Sequence, residues 1–185
     1  PRRQPTVQQL SEAESINLDV DHDDAVLLLY VQDPDDSFAS AAKSGLAGQL
    51  LRSPFFSSLR TDQQLGYVVS AGVRRLSTQS GNIFLVQSPA AGVEDLREAV
   101  MAFMESYIKD WETLSDEDFQ RQKEGLITRL TEKDKNLTER SEDYWESLDV
   151  ENYLFNSKEQ VAKQVASLDK AEMGAFMKDF YSRLQ

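Results

Sequence analysis

The chain has 185 residues, of which 40% are hydrophobic and none is cysteine, and its formal net charge is -12. That length suits one large domain, and the acidic balance argues against nucleic acid as a partner, because such binding depends on Lys and Arg neutralising phosphates. The composition also excludes disulfides and thiolate metal sites, and no apolar run approaches the roughly 20 residues that span a bilayer.

The excess of acidic residues is interpreted as a solvated anionic surface rather than as a site for cationic partners. Residues 1–23 mix Pro, Gln, Glu and Ser with scattered apolar side chains, which predicts a linker, with a short extended stretch at 16–20, that enters a domain spanning residues 24–185. The chain starts with Pro1 and shows no basic-then-apolar leader, which predicts a processed chain or an excised fragment.

Asp21-His22-Asp23-Asp24 is the only cluster that resembles a metal site. A lone His among carboxylates lacks the paired imidazoles of a zinc site and the ligand spacing of a calcium loop. We therefore interpret the cluster as a solvated turn ahead of a strand.

A buried strand is predicted next, because residues 25–31 are continuously apolar and are followed by Asp33-Pro34-Asp35-Asp36. Ser37 stands where a helix cap would, and the residues after it place small and apolar side chains at helical spacing. We expect this helix to pack closely on the sheet.

The stretch from 54 to 88 predicts a short helix, a corner at Gly66 and a β-hairpin. Residues 67–73 alternate in the manner of a strand with one buried face, and residues 83–88 give a second apolar strand. The turn residues at 77–82 separate the two strands, so this hairpin is expected to be the heart of an antiparallel sheet.

The second half of the chain predicts a series of helices. Gly92 precedes an amphipathic stripe that we interpret as core rather than as a docking face, formed by Val93, Leu96, Val100, Phe103, Met104, Tyr107 and Trp111. Further helix starts are predicted at Ser115, Thr138, Ser157 and Asp169. Strands at the front and helices behind them predict an α+β domain, with an antiparallel sheet covered on one face by helices.

Little in the sequence points to chemistry inside the chain. A zinc hydrolase needs three protein ligands and a base, but His22 is the single histidine, and a Ser-His-Asp triad would have to use the same residue. Arg60 and Tyr67 remain, seven residues apart across Gly66, as two donors that could face a carbonyl or its oxyanion. The alternative is structural: Arg60 pairs with a nearby carboxylate such as Asp62, and Tyr67 packs beneath the helices.

The run Ser-Pro-Phe-Phe-Ser-Ser-Leu-Arg-Thr-Asp-Gln-Gln-Leu-Gly-Tyr-Val-Val at 53–69, with Val-Gln-Ser at 86–88, carries a resemblance. It resembles the last homologous domain of the pitrilysin and insulin-degrading enzyme family of inverted-zincin metallopeptidases. The resemblance covers roughly residues 24–185 and implies a metallopeptidase-like fold, also called mitochondrial processing peptidase-like.

The resemblance implies a parent enzyme of four homologous domains, arranged as two bowl-like halves around a chamber. Zinc and its His-x-x-Glu-His motif would lie in the N-terminal half, since residues 41–46 of the corresponding helix here offer no ligand. Arg60 and Tyr67 would reach across the chamber as substrate-binding residues, bind peptide substrates and help stabilise the reacting carbonyl. This fragment would then hold no metal and no catalytic residue, and it would be inactive alone.

Two other functions stay open. The chain could be a non-catalytic interaction or assembly subunit of the same fold, or an unrelated acidic peptide-binding module if the match at 59–67 is fortuitous. The resemblance implies a periplasmic location for a bacterial protein and a cytosolic one otherwise.

Overall fold

The computed structural model describes residues 7–8, 12–18, 21–149 and 153–185. Much of the predicted linker, residues 1–6, 9–11 and 19–20, lies outside these residues, as does the end of the predicted stretch at 16–20. Its described parts contain neither helix nor strand, and Ile16 and Leu18 are each 80% exposed. The boundary at 23–24 stays a prediction.

The sheet has three antiparallel strands. β1 is Ala25–Gln32, β2 is Val68–Val73 and β3 is Gly81–Ser88, in the order β1-β3-β2. β3 starts two residues earlier than the apolar pattern predicts, because Gly81 and Asn82 already pair with β1.

Register places the buried apolar side chains of the three strands on one face. Leu27 of β1 and Val69 of β2 both pair with Val86 of β3, and all three are buried. One residue along β1, Val26 and Leu28 point to the opposite face and are exposed. Helices therefore cover one face of the sheet, which confirms the predicted α+β architecture.

Six α-helices and two short irregular helical turns make up the rest of the described chain. The bounds are α1 Phe38–Phe56, α2 Val93–Lys109, α3 Asp116–Thr131, α4 Leu137–Asp149, α5 Ser157–Ser167 and α6 Lys170–Leu184, with a π-helical turn at Ser57–Asp62 and a 3₁₀ turn at Trp111–Thr113. Among the described residues, no helix is both long and apolar enough to cross a membrane.

Three of the predicted helix caps are confirmed by hydrogen bonds. Ser37, Ser115 and Asp169 each accept the backbone N–H of the residue three positions later. The prediction at Thr138 is wrong by two residues, because the side chain of Asn136 accepts the N–H of Glu139 instead. Ser157 is likewise the first residue of α5 rather than its cap.

The core lies between the sheet and the helices and is centred on aromatic rings. Phe55 at the end of α1 contacts Phe84 of β3 and Phe103 of α2, with ring centroids 5.1 and 5.2 Å apart. Phe84 also lies 6.0 Å from Phe180 of α6. The predicted stripe of α2 is thus core at its centre, whereas Trp111, expected in the same helix, is buried from the 3₁₀ turn beyond it.

Candidate substrate-contacting site

Arg60 is presented by the π-helical turn that follows α1. The turn is defined by the N–H of Gln63 donating to the carbonyl of Ser58, five residues back, at 3.0 Å. Leu59 is fully buried and anchors the turn in the core, while its neighbour Arg60 is exposed. A fixed backbone therefore carries a solvent-facing guanidinium, and π-helical turns are often found at functional sites.

Pro54 interrupts the helix hydrogen bonding shortly before this turn. It lies in the last turn of α1 and has no N–H to donate to the carbonyl of Leu50. The hydroxyl of Tyr107 in α2 donates to that carbonyl instead, at 3.4 Å. Burial raises the pKa of Tyr107 to about 12, so the phenol keeps its proton and the support persists at neutral pH.

The guanidinium of Arg60 makes no ion pair with any residue in the described part of the chain, and Asp62 does not pair with it. The pairing of Arg60 with Asp62 is therefore not seen among the described residues. Arg60 lines an open depression together with Phe56, Thr61 and Gln64. Gln64 has a φ of 52°, in the left-handed region that side-chain-bearing residues seldom adopt.

A second depression adjoins the first. Its lining joins the end of α1 to β2 and shares Phe56 with the Arg60 depression: Arg52, Ser53, Phe56, Ser57, Val69, Ser70 and Ala71. The exposed ring of Phe56 thus borders both depressions. Phe56 is the last residue of α1, directly before the π-turn, which the sequence pattern did not predict.

Gly66 forms the predicted corner, and glycine is needed there because its backbone lies close to the backbone of β3. A Cβ at this position would lie 2.3 Å from the carbonyl oxygen of Gln87 in β3, although the φ of Gly66 is not positive. The corner lets the N–H of Tyr67 donate to that same carbonyl at 3.2 Å. Tyr67 therefore sits one residue before β2, fixed against the middle strand.

The side chain of Tyr67 is 50% exposed, so it does not pack beneath the helices. Its hydroxyl donates to Oδ2 of Asp24, which also accepts from Nε2 of Gln87 at 3.0 Å. The backbone N–H of Asp24 donates to Nδ1 of His22 at 3.0 Å. Asp24 is thus part of a hydrogen-bonded cluster that joins the segment before β1 to β3 and to the start of β2.

The electrostatics of this cluster keep its carboxyl charged and its phenol neutral. The hydrogen bond from Tyr67 lowers the pKa of Asp24, as do the Gln87 bond and the nearby His22. The same bond and the negative charge of Asp24 raise the pKa of Tyr67. At neutral pH Asp24 is therefore an acceptor only, and Tyr67 must be the donor between them.

The structure does not bring Arg60 and Tyr67 into hydrogen-bond contact within the described residues. It does bring Asp24 and Gln87 to Tyr67, which sequence reasoning missed. Asp24 was interpreted as part of a solvated turn, and that holds for Asp21, His22 and Asp23, which are exposed. Only strand register could reveal that Asp24 and Tyr67, 43 positions apart, meet across β3.

The same segment does not supply a metal site. In the part of the chain that the structure describes, no three His, Cys, Asp or Glu side chains are placed to hold a metal ion. A zinc centre needs at least three protein ligands, and the described residues do not place three such side chains together.

The profile of the family described as "PQQ synthase PqqF-like, C-terminal lobe domain 4" matches residues 46–145. This range includes the π-turn, the Gly66 corner, the hairpin and helices α2 and α3.

Individual relatives match over more of the chain. The "Nardilysin-like" protein of Arabidopsis thaliana is 31% identical over 160 residues, which are 85% of this chain and 16% of the relative. A Schizosaccharomyces pombe protein named as a zinc protease is 34% identical over 141 residues, or 76% of this chain and 14% of its own length.

Among solved structures, the crystal structure of pitrilysin superposes with a TM-score of 0.76 and 27% identity, covering 86% of this chain and 17% of pitrilysin. The chain thus spans about one sixth of the length of the proteins that it matches. These relatives are zinc proteases of the pitrilysin and insulin-degrading enzyme kind.

Proposed function

Because the chain belongs to the family of PqqF-like C-terminal lobe domains, within the pitrilysin-like zinc proteases, we propose that it walls the substrate chamber of a zinc-dependent metalloendopeptidase that degrades peptides. Arg60 and Tyr67 contact the peptide there. The zinc site belongs to the N-terminal half of the same polypeptide, and residues 24–185 form the C-terminal domain.

The observation that carries the proposal is the exposed guanidinium of Arg60 on a buried anchor. An exposed Arg that makes no ion pair with the described residues, held by a π-turn whose Leu59 is fully buried, has its five donors available to a ligand. A planar guanidinium can donate two parallel hydrogen bonds to a carboxylate, or bind a peptide carbonyl. Arg60 lines a depression, so a ligand can reach it from solvent.

The position of Tyr67 supports the same function. Its half-exposed phenol stands at the end of the corner that fixes β2 to β3, so its backbone is held by Gly66 and Gln87. Sites built on rigid elements hold contacting groups more accurately than mobile loops do. Both candidate residues thus meet the requirement of a preorganised binding surface.

Two substitutions in the intact peptidase test the proposal. We expect Tyr67→Phe to lower kcat/KM for a short fluorogenic peptide about tenfold, the size of one hydrogen bond to a substrate. Arg60→Lys keeps the charge but loses the planar fork, and we expect a loss of about 10- to 100-fold. Circular dichroism and thermal unfolding of both variants should match the parent protein.

Matched controls separate contact with substrate from a general surface effect. Arg74→Lys and Tyr153→Phe make the same chemical changes at exposed positions on the β2–β3 loop and after α4, away from both depressions. Both should keep full activity. Unchanged kcat/KM in Tyr67→Phe and Arg60→Lys would reject the substrate-contacting role and favour a docking or assembly domain of the same fold.

A further inference from the structure

We infer that Asp24 is a positioning residue for Tyr67, an inference that rests on the proposed substrate-contacting role. The carboxylate of Asp24 accepts the single proton of the Tyr67 phenol and fixes the ring across the end of β3. Neither residue lines the two depressions, but Tyr67 is half exposed whereas the side chain of Asp24 is nearly buried, so Asp24 acts through Tyr67.

Asp24 is suited to this task because it is held from several sides. Its side chain is only 10% exposed, although it follows three exposed residues. Gln87 of β3 donates to the same oxygen as Tyr67, and His22 accepts the backbone N–H of Asp24. The middle strand therefore fixes the acceptor, and the acceptor fixes the phenol.

This bond also decides what Tyr67 can offer a ligand. A phenol has one proton, and in the bonded state that proton points to Asp24. The lone pairs of the phenol oxygen remain outside that bond, so Asp24 sets the direction in which the phenol oxygen meets a ligand.

A structural test uses the pH titration of the Tyr67 phenol by NMR on the ¹³C-tyrosine-labelled chain. Tyr67→Phe identifies the resonance among the six tyrosines. The titratable groups at the cluster are Asp24 and His22, and Asp24 is the one that raises the pKa of Tyr67. We expect the titration midpoint to fall in Asp24→Ala and to stay unchanged in Asp23→Ala, the exposed neighbour.

A kinetic test uses the intact peptidase and a double-mutant cycle. We expect Asp24→Ala to lower kcat/KM about tenfold, and the loss to vanish when Tyr67→Phe is already present, because Asp24 acts only through the phenol. Asp24→Asn should restore most of the activity, since its amide oxygen can still accept the phenol proton. Asp23→Ala is the matched control and should keep full activity.

The outcomes separate the inference from the proposed function. Two results would overturn the inference about Asp24. One is a Tyr67 titration midpoint that is unchanged in Asp24→Ala, and the other is a loss of kcat/KM from Asp24→Ala that persists when Tyr67→Phe is also present. Full activity in Tyr67→Phe would instead overturn the contact role of Tyr67 and the kinetic role of Asp24 with it. In that case a midpoint that still falls in Asp24→Ala would support the hydrogen bond as structural only.

Discussion

Asp33, the last residue before the turn that precedes α1, is a buried residue with a titratable carboxyl group. Its relative exposure is 2%, the hydroxyl of Ser44 donates to its carboxylate, and Nε2 of Gln79 donates to its backbone carbonyl at 2.7 Å. Burial raises the pKa of its carboxyl to about 6, against the opposing effects of the Ser44 bond and the positive charge of Arg183. The folded state therefore holds a proton on Asp33 that the unfolded state has already lost near pH 5.

This difference predicts a pH-dependent free energy of unfolding. Since the folded pKa lies above the ordinary value of 3.8, the favourable contribution is complete below about pH 3.8 and is lost as pH rises through 6. Urea unfolding should show this loss as a decrease of about 1–3 kcal/mol between pH 4 and pH 7. Asp33→Asn should remove that decrease.

Asp36→Asn is the matched control for Asp33, because it lies in the same turn and is exposed. It should keep the pH dependence of the parent chain. Identical pH profiles for the parent and Asp33→Asn would show that Asp33 is already ionised in the fold and would reject the prediction.

At the scale of single residues, the sequence identified part of the candidate site. Arg60 and Tyr67 could be selected because the resemblance implies them and because the residues offer neither the ligands of a zinc site nor a recognisable triad. Asp24 could not, since its contact with Tyr67 depends on the order β1-β3-β2, which brings the starts of the two edge strands to either side of Gln87. Local pattern carries no information about that pairing.

At the scale of elements, prediction succeeded where the signal is local. Caps such as Ser37 and Asp169 were recognised because their partner is three residues away. The sequence predicts only a short helix where the structure has the π-turn at Ser57–Asp62. The hydrogen bonds of this turn join residues five apart, and its Leu59 is packed in the core, so the turn depends on tertiary contacts that local pattern does not reveal. Arg60 therefore lies on the π-turn, the element that hydrophobic periodicity predicts least well.

The joint between this turn and β2 predicts a sharp contrast between two glycines. A methyl group at Gly66 would collide with the carbonyl of Gln87, which belongs to backbone that cannot move without disturbing β3, whereas at Gly72 it would meet nothing within 4 Å. We expect Gly66→Ala to lower the free energy of unfolding by about 1–3 kcal/mol. Gly72→Ala, in β2, should change it by less than about 1 kcal/mol.

Urea unfolding followed by circular dichroism measures both glycine variants under the same conditions. The Tyr67 resonance should also move in Gly66→Ala, because the displaced backbone includes the N–H that bonds Gln87. Equal stability of the two variants would mean that the strands separate freely at this corner, and the close approach would not be what requires glycine.

At the scale of the whole molecule, the proposal that the zinc site lies in another domain leads to a prediction about the metal content of this chain. A zinc hydrolase needs three protein ligands and an activated water. The chain has one histidine and no cysteine, and the described residues contain no suitable cluster of acidic or imidazole side chains. We therefore expect the 185-residue chain, dialysed against zinc and then against buffer, to contain much less than one zinc per chain and to leave fluorogenic peptides intact.

The proposed intact peptidase supplies the positive control for this experiment. The relatives are about six times longer than the stretch matched here, and we expect an intact peptidase of that length, with about one zinc per chain, to cleave the same peptides. Metal content by plasma mass spectrometry and intact mass distinguish the two samples directly. Stoichiometric zinc with peptidase activity in the short chain would contradict the prediction, because a complete catalytic site would then have to lie within these residues.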